Sequence, residues 1–370
     1  MSLQVTVFGA GAFGGWSALH LLRAGARVTL VDAWGPGNSR SSSGDETRVI
    51  RGSYGPNAIY TEMVARGLPM WRENERRWGV RLFCPAGAMW MAGADDAYER
   101  ASAENLKAAG LAFESLDRQQ GKRRFPQMDW TGLEWAILER DAGFLLARRA
   151  CQAVAEGFVA EGGRYETGSG GVNAMTRWKA DAYVFACGPW LGELFPDLLS
   201  GKLTATRQDV FYFGAPAGDS RFDENHFPAW VDNSEVRYYG IPGNEGRGFK
   251  AARDVPGEAL DPTRADRTVS GEELEDIRRY LARRFPAMAG APLVESRVCQ
   301  YEMSADGDLI LDRAPGHDNV WIAGGGSGHG FKLGPAVGER MAALVLGKAD
   351  VAPQFVLGRF REARGIGERK

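Results

Sequence analysis

Two segments in the last quarter of the chain carry side chains that can do chemistry: Cys299-Gln300-Tyr301 and the glycine-rich run from Gly324 to Lys332. On a strand, Cys299 and Tyr301 point to the same side, so a thiol and a phenol can face one ligand. The glycines let a loop lie close to that ligand before the chain enters a helix whose first amides can meet it. We therefore predict that both segments surround a bound cofactor; a buried core cysteine is the alternative.

A second glycine-rich segment, Gly9-Ala10-Gly11-Ala12-Phe13-Gly14, follows a predicted strand and starts a predicted helix. In this context the glycines let the backbone approach a pyrophosphate, which lies at the helix N-terminus where amides and dipole favour negative charge. Asp32 ends the next strand, where its carboxylate can accept hydrogen bonds from ribose hydroxyls. The unit predicts a bound dinucleotide but does not separate NAD from FAD.

A parallel sheet must position these segments, and the chain contains its strands. Residues 4 to 8 are apolar and β-rich, residues 16 to 25 have helical spacing, and residues 27 to 32 read as a second strand, which together make a βαβ unit. A later run, 182 to 188, is a buried strand that ends in a glycine turn and fits a return to the same sheet. Val172 and Gly188 are expected at the cofactor.

Between these strands the pattern changes. From Pro69 to Gly143 the sequence resembles an insertion, with a helix around 97 to 110 and a loop at 121 to 126. From Thr204 to Pro292, alternating strands precede a helix that starts at Ser270 and ends in arginines expected in solvent. We predict an α/β fold: a Rossmann-like nucleotide domain (1–80, 140–203 and 293–370) and an inserted antiparallel-sheet substrate domain of α+β type (81–139 and 204–292).

Composition and charge argue against a nucleic-acid-binding protein and against a membrane protein. The 370 residues are 44% hydrophobic and 25% charged with a formal net charge of -2, which gives no overall attraction to nucleic acid or anionic membranes. The four cysteines lack metal-type spacing, no apolar run reaches membrane-spanning length, and the first residues show no secretory signal. We expect a cytoplasmic, reduced protein without a metal, a nucleic-acid partner or a membrane partner.

The segment from Ser41 to Gly55 resembles the monomeric sarcosine oxidase family, which includes N-methyltryptophan oxidase and fructosyl amino acid oxidases and belongs to the D-amino acid oxidase-like superfamily. There a serine-rich loop, here with Ser42 and Ser43, crosses the flavin diphosphate, and two arginines follow. The resemblance assigns Arg48 to the FAD cofactor and Arg51 to the substrate carboxylate, which a planar guanidinium matches bidentately. The segment is one residue longer here, which leaves Asp45 and Glu46 unassigned.

A further block, Tyr238 to Pro242 followed by Gly248-Phe249-Lys250, is similar to the family segment that places a tyrosine at the substrate and a lysine over the flavin. The resemblance assigns these roles to Tyr239 and Lys250. A lysine there would stabilise the negative charge that develops on oxygen; a solvent-facing strand lysine is the alternative. Arg253 and Asp254 stand where the family has a histidine, which predicts a more polar substrate pocket.

The two segments near the carboxyl end also match the family. The resemblance makes Cys299 the covalent flavin anchor, through its sulfur and the 8α-methyl carbon, and turns Tyr301 toward the substrate. Lys332 is assigned to the substrate carboxylate and to the flavin loop. The other loop residues expected at the flavin are Gly325, Gly328, His329, Gly330 and Phe331.

The resemblance implies an FAD-dependent amine oxidase that converts a carboxylate-bearing amine, secondary or N-substituted, into an imine and reduces O2 to H2O2. Arg51 and Lys332 would hold the carboxylate, and Lys250 would serve oxygen. A flavin-dependent dehydrogenase with another acceptor stays open, as does a flavin-binding sensor or tRNA-modification partner. An NAD(P)-dependent dehydrogenase would leave Cys299 and the loop unexplained. A monomer or small homo-oligomer is expected.

Overall fold

A computed structural model describes residues 2–171 and 173–362. Its strands are β1 Gln4–Phe8, β2 Arg27–Asp32, β3 Thr47–Ile50, β4 Phe83–Cys84, β5 Ala88–Ala92, β6 Phe113–Asp117, β7 Trp135–Glu139, β8 Gly143–Leu146, β9 Arg164–Thr167, β10 Ala182–Phe185, β11 Leu203–Phe213, β12 Ala229–Asp232, β13 Tyr238–Ile241, β14 Phe249–Arg253, β15 Leu293–Ser304, β16 Ile310–Arg313 and β17 Val320–Gly324. Its α-helices are α1 Ala12–Arg23, α2 Ala58–Trp78, α3 Ala97–Ala108, α4 Arg118–Arg124, α5 Ala147–Ala160, α6 Ala174–Arg177, α7 Leu191–Leu194, α8 Pro196–Leu199, α9 Gly271–Arg284, α10 Gly334–Val345 and α11 Arg359–Glu362.

A six-stranded sheet, in the order β16-β17-β10-β1-β2-β9, holds the nucleotide signature. Its strands run parallel except β16, which pairs antiparallel with β17. The predicted βαβ unit is confirmed as β1, α1 and β2. The apolar run near residue 182 is also confirmed as a strand, because β10 lies beside β1, where its four residues are buried.

An eight-stranded sheet, in the order β15-β11-β14-β13-β12-β5-β7-β6, forms the second large layer. Its pairs are antiparallel apart from β12 with β5. The long strand β15 carries Cys299 and Tyr301 and pairs with β11. An aromatic core packs α9 against this sheet, with Tyr280 stacked on Tyr238 at 4.0 Å between ring centroids. A small sheet of β3, β8 and β4 completes the predicted mixed α/β fold, whereas the domain limits stay a prediction.

Two local predictions are wrong. The loop expected at residues 121 to 126 is largely helix α4, since Asp117 and Gln120 form a reciprocal capping box at its start. Arg284, expected in solvent at the end of α9, is buried because its Nε donates to Asp232 Oδ2 at 2.8 Å. Within the described ranges, no helix is long and apolar enough to cross a membrane.

Candidate active site

The amino end of α1 forms a cradle for an anionic group. Gly9 has φ +100°, and a Cβ there would lie 2.3 Å from the Ala186 carbonyl oxygen, so this turn needs glycine. Ser43 Oγ accepts from the Ala12 amide at 3.2 Å. The neighbouring hydroxyl of Ser42 is buried and has no hydrogen-bond partner among the described residues. Amides at a helix start together with serine hydroxyls fit a pyrophosphate.

A cavity extends from this cradle along the carboxyl ends of β1 and β2, and we call it the first cavity. Most residues predicted at the cofactor line it. They are Gly9, Gly11, Ala12, Phe13, Asp32, Ser42, Ser43, Arg48, Gly188, Gly328, Gly330 and Phe331.

The remaining cofactor predictions fall elsewhere. Gly14 lies behind the turn, where a Cβ would come within 1.8 Å of the Gly9 carbonyl oxygen, so it serves close packing. Gly325 and Cys299 are not among the lining residues, and Val172 lies outside the described residues. His329 and Lys332 face a different cavity, described below.

Asp32 stabilises the turn as well as lining the first cavity. Its Oδ2 accepts from the Ala10 amide at 2.7 Å, and its Oδ1 accepts from the amides of Trp34 and Gly35 at 2.9 and 2.7 Å. Trp34 and Trp190 form an aromatic pair at the same cavity, with ring centroids 4.8 Å apart. This pair was not predicted from the sequence, although the position of Trp34 two residues after Asp32 was a usable signal.

Glu302, next to Tyr301 on β15, is a second residue that the sequence analysis missed. Its carboxyl lines the first cavity, and its Oε1 is buried with no partner among the described residues. Burial raises the pKa of Glu302 to about 7, opposed by the amides of Gly325 and Gly326. A protonated carboxyl there can donate a hydrogen bond to a polar ligand.

The second cavity has a volume of about 300 Å³, which suits a small ligand. It brings together Arg51, Tyr239, Tyr301 and Lys332, which the resemblance assigned to the substrate. Arg48, Tyr301, Gly328 and Phe331 line both cavities. The two cavities therefore meet at a shared wall.

The cationic groups of Arg51 and Lys332 both lie close to the aromatic ring of Tyr54. The Arg51 guanidinium carbon is 4.8 Å from the centroid of the Tyr54 ring, and Lys332 Nζ is 5.0 Å from that centroid. Lys332 Nζ donates to the carbonyl of His329 at 2.9 Å. Burial, together with the charge of Arg51, lowers the pKa of Lys332 well below its usual value. A carboxylate near both groups would relieve their mutual repulsion.

Lys250 lines neither cavity, because Asp45 binds its ammonium group. Both side chains are almost fully buried, and Lys250 Nζ also donates to the Thr47 carbonyl at 3.1 Å. The same Asp45 carboxylate pairs with Arg48 and accepts from the Tyr212 hydroxyl at 2.7 Å. Although burial alone would raise it, Lys250 and Arg48 hold the pKa of Asp45 far below its usual value.

Arg48 connects this buried ion pair to the cavities. Its Nη2 lies 3.0 Å from Cys299 Sγ and donates to the Ser42 carbonyl at 2.9 Å. Cys299 is buried on β15, on the same strand as Tyr301. Of the two residues that the resemblance leaves unassigned, Asp45 turns inward to Lys250, whereas Glu46 pairs with arginines that include Arg297 at 2.8 Å.

His329 is a neutral structural residue of the second cavity. Its Nε2 lies 3.0 Å from the Gly307 carbonyl and its Nδ1 lies 3.3 Å from the Tyr54 hydroxyl, which together define the tautomer with the proton on Nε2. Burial, helped by the nearby Lys332 charge, lowers the pKa of His329 to about 3. At neutral pH it therefore holds the loop and Tyr54 in place.

We expect the free energy of unfolding to fall by roughly 2 kcal/mol between pH 6.5 and pH 5 because of His329. In that interval the unfolded chain takes up a proton at this histidine, whereas the folded chain does not until about pH 3. The free energy of unfolding measured with urea should depend less steeply on pH in His329→Asn than in the wild-type protein. His317→Asn, which changes an exposed histidine outside both cavities, is the control for the substitution itself; equal slopes in all three proteins would contradict the assignment.

The family model described as FAD dependent oxidoreductase matches residues 4–344. Monomeric sarcosine oxidase of Streptomyces avermitilis is 30% identical over 360 residues, covering 93% of both proteins. N-methyl-L-tryptophan oxidase of Salmonella arizonae is 28% identical, covering 98% of this chain and 99% of that protein. The crystal structure of L-proline dehydrogenase from P. horikoshii, 18% identical, has the same fold, with a TM-score of 0.84 and 98% of both chains covered.

Proposed function

Because the chain belongs to the FAD dependent oxidoreductase family, we propose that it oxidises the C–N bond of an amine that carries a carboxylate. The observation that carries this proposal is the pair of cations, Arg51 and Lys332, in a small cavity that shares a wall with the first cavity. Sarcosine and N-methyl-L-tryptophan, named in the relatives, are both N-methylated amino acids. A secondary or N-substituted amine is therefore the preferred class.

FAD would lie in the first cavity, with its pyrophosphate at the amino end of α1. Gly9, Gly11, Ser42 and Ser43 would surround that group, and Asp32 would lie on the ribose side. Bound there, FAD supplies the two-electron acceptor that no protein side chain provides.

The protein side chains contribute binding and orientation. Arg51 and Lys332 would bind the carboxylate, and this fixes the carbon beside the amine against the shared wall of the two cavities. Tyr239 and Tyr301 bound the same space and limit where the amine can lie. The amine reacts in its neutral form, so no side chain needs to act as a base. The product is an imine, which water hydrolyses to a carbonyl compound and an amine.

Oxygen is the proposed electron acceptor, and H2O2 the product, because the relatives are named oxidases. Lys250 is the cation that would stabilise the negative charge that develops on oxygen. It lines neither cavity, so it would act at a distance, as part of the ion-pair network with Asp45 and Arg48.

One observation favours a second candidate, a flavin-dependent amino acid dehydrogenase that uses a different acceptor. Asp45 already neutralises Lys250, and a neutralised lysine offers oxygen less electrostatic help. Measuring H2O2 per imine formed separates the two: a ratio near one supports the oxidase, and a ratio near zero with rapid dye reduction supports the dehydrogenase.

The proposed function is tested by purifying the protein and screening amino acids for bleaching of its visible flavin absorption under anaerobic conditions. The panel compares N-methyl, cyclic secondary, sugar-linked and primary amino acids with the corresponding amines that lack the carboxylate. Bleaching that requires the carboxylate supports the proposal. A colourless protein, or equal reaction with amines that lack the carboxylate, contradicts it.

A covalent flavin through Cys299 is proposed from the family resemblance and from the burial of this thiol beside Arg48. We expect acid precipitation to leave essentially all flavin with the wild-type protein and to release it from Cys299→Ser. The measurement is the visible absorbance of the supernatant. Cys187→Ser, a cysteine that lines the first cavity, is the matched control and should retain its flavin. Flavin that stays attached in Cys299→Ser would refute the link.

A further inference from the structure

The second cavity contains a guanidinium and a carboxylate that have no part in the proposed binding of a carboxylate by Arg51 and Lys332. These are Arg237 and Asp254, which lie just beyond the last paired residues of β13 and β14. The Asp254 amide donates to the Arg237 carbonyl at 2.8 Å, so the sheet fixes where both side chains begin. Their neighbour Arg253 is not among the cavity residues; its Nη1 lies 3.3 Å from Glu273 on α9.

Arg237 has donors available for a ligand. Its Nε donates to Asn233 Oδ1 at 3.1 Å, and its Nη1 lies 3.8 Å from Asp254 Oδ2, which is too long for a hydrogen bond. Asp254 Oδ1 accepts from the Tyr301 hydroxyl at 3.2 Å. Among the described residues no other hydrogen bond holds the Arg237 side chain, so its planar fork can receive a carboxylate.

The guanidinium groups of Arg51 and Arg237 border the same indole. The Arg51 guanidinium carbon lies 4.2 Å from the Trp90 ring centroid, and that of Arg237 lies 5.8 Å from it. No more than about 10 Å can therefore separate them. A small molecule with a carboxylate at each end can span such a distance.

The charges that line the cavity also favour an acidic ligand. Asp306 is paired with Arg359, and Asp308 accepts from the Tyr60 hydroxyl and from Gln354. Arg48, the fourth lining cation, is paired with Asp45. Arg51, Lys332 and Arg237 then outnumber Asp254 and Asp308, because the Tyr60 and Gln354 partners of Asp308 are neutral. This excess of positive charge favours an anionic ligand over a cationic one.

We propose that Arg237 binds a second carboxylate of the substrate, so that the preferred substrates are dicarboxylic amino acids. One carboxylate lies at Arg51 and Lys332, and the side-chain carboxylate lies at Arg237. This inference rests on the proposed function, because it assumes that Arg51 holds the first carboxylate. It extends that proposal by naming the substrate class.

The test measures binding apart from turnover. The holoenzyme is titrated with glutarate and with its monoamide, a ligand of the same shape that lacks one charge, and binding is followed by the change in the visible flavin spectrum. We expect glutarate to bind at least tenfold more tightly than the monoamide. In Arg237→Gln that ratio should fall close to one, whereas Arg253→Gln, the matched control beside it, should keep the wild-type ratio. N-methyl-L-glutamate and N-methyl-L-glutamine should show the same ratio in kcat/KM.

The outcomes separate this inference from the proposed function. If Arg51→Gln weakens both ligands but Arg237→Gln leaves their ratio at the wild-type value, the second-carboxylate site is overturned and the proposed function stands. If Arg51→Gln weakens neither ligand, the proposed function itself is overturned. Tighter binding of 5-aminopentanoate than of glutarate, lost in Asp254→Asn, would also overturn the inference, because Asp254 would then select a cation.

Discussion

Replacing Lys250 with methionine is expected to lower the second-order rate constant for reaction of the reduced enzyme with oxygen by about 30-fold. Because Lys250 lies behind the cavity wall, a distance of about 8 Å to the developing anion is taken; a unit charge there contributes about 2 kcal/mol at an effective dielectric constant near 20, which corresponds to about 30-fold in rate. Stopped-flow mixing of the reduced enzyme with oxygenated buffer measures the constant directly. The anaerobic rate of substrate oxidation should change much less, because Lys250 lines neither cavity.

Asp45→Asn removes a negative charge from the same network, so it should change the rate of reaction with oxygen in the opposite direction. Asp45 carries the negative charge that pairs with both Lys250 and Arg48. Its removal should leave the cations less neutralised and make the reaction with oxygen faster than in wild type. Arg66→Gln, on an exposed pair with Glu339, is the control for a general effect of charge removal. A rate with oxygen that is unchanged in Lys250→Met would remove Lys250 from the oxidase proposal and strengthen the dehydrogenase candidate.

Replacing Arg51 with glutamine is expected to lower kcat/KM for the best amino acid substrate by at least about 100-fold. A hydrogen bond to a charged group contributes about 1.5 to 3 kcal/mol, and a bidentate pair loses two of them. Arg51 lies on the faces of Tyr54 and Trp90, at 4.8 and 4.2 Å from their ring centroids, so its guanidinium is held in place before a ligand binds. Steady-state kinetics over the amino acid panel measures the loss.

Two further variants show whether the loss comes from the carboxylate. Arg51→Lys should recover only part of the activity, because an ammonium group keeps the charge but lacks the planar fork. Lys332→Met should reduce the activity for the same substrates. For the corresponding amines without a carboxylate, the three variants should resemble wild type. A loss in Arg51→Gln that is equal for amines with and without the carboxylate would contradict the clamp.

Local sequence patterns predicted much of the first cavity, whereas the residues of the second cavity were predicted only through the family resemblance. The turn from Gly9 to Gly14, the strand end at Asp32 and the serines at 42 and 43 are local patterns, and most of their residues line the first cavity. Local patterns predict such sites well because the turn, the helix start and the strand end follow one another along the chain. Tyr54 lies three residues after Arg51, but its contact with His329 joins residues 275 positions apart and has no local signal.

The sequence by itself determined the βαβ unit, the family and the residue types that a carboxylate-bearing amine requires. Only the tertiary structure decided which of these side chains contact one another. Asp45 binds Lys250 across 205 residues of chain, and Arg237 joins Asp254 at the ends of two paired strands. The physical reason is that such pairs depend on strand register and on packing between sheets. The periodicity of side chains along a helix or a strand predicts only which residues of that element share a face. It does not predict which charged residue from a distant part of the chain contacts a given side chain.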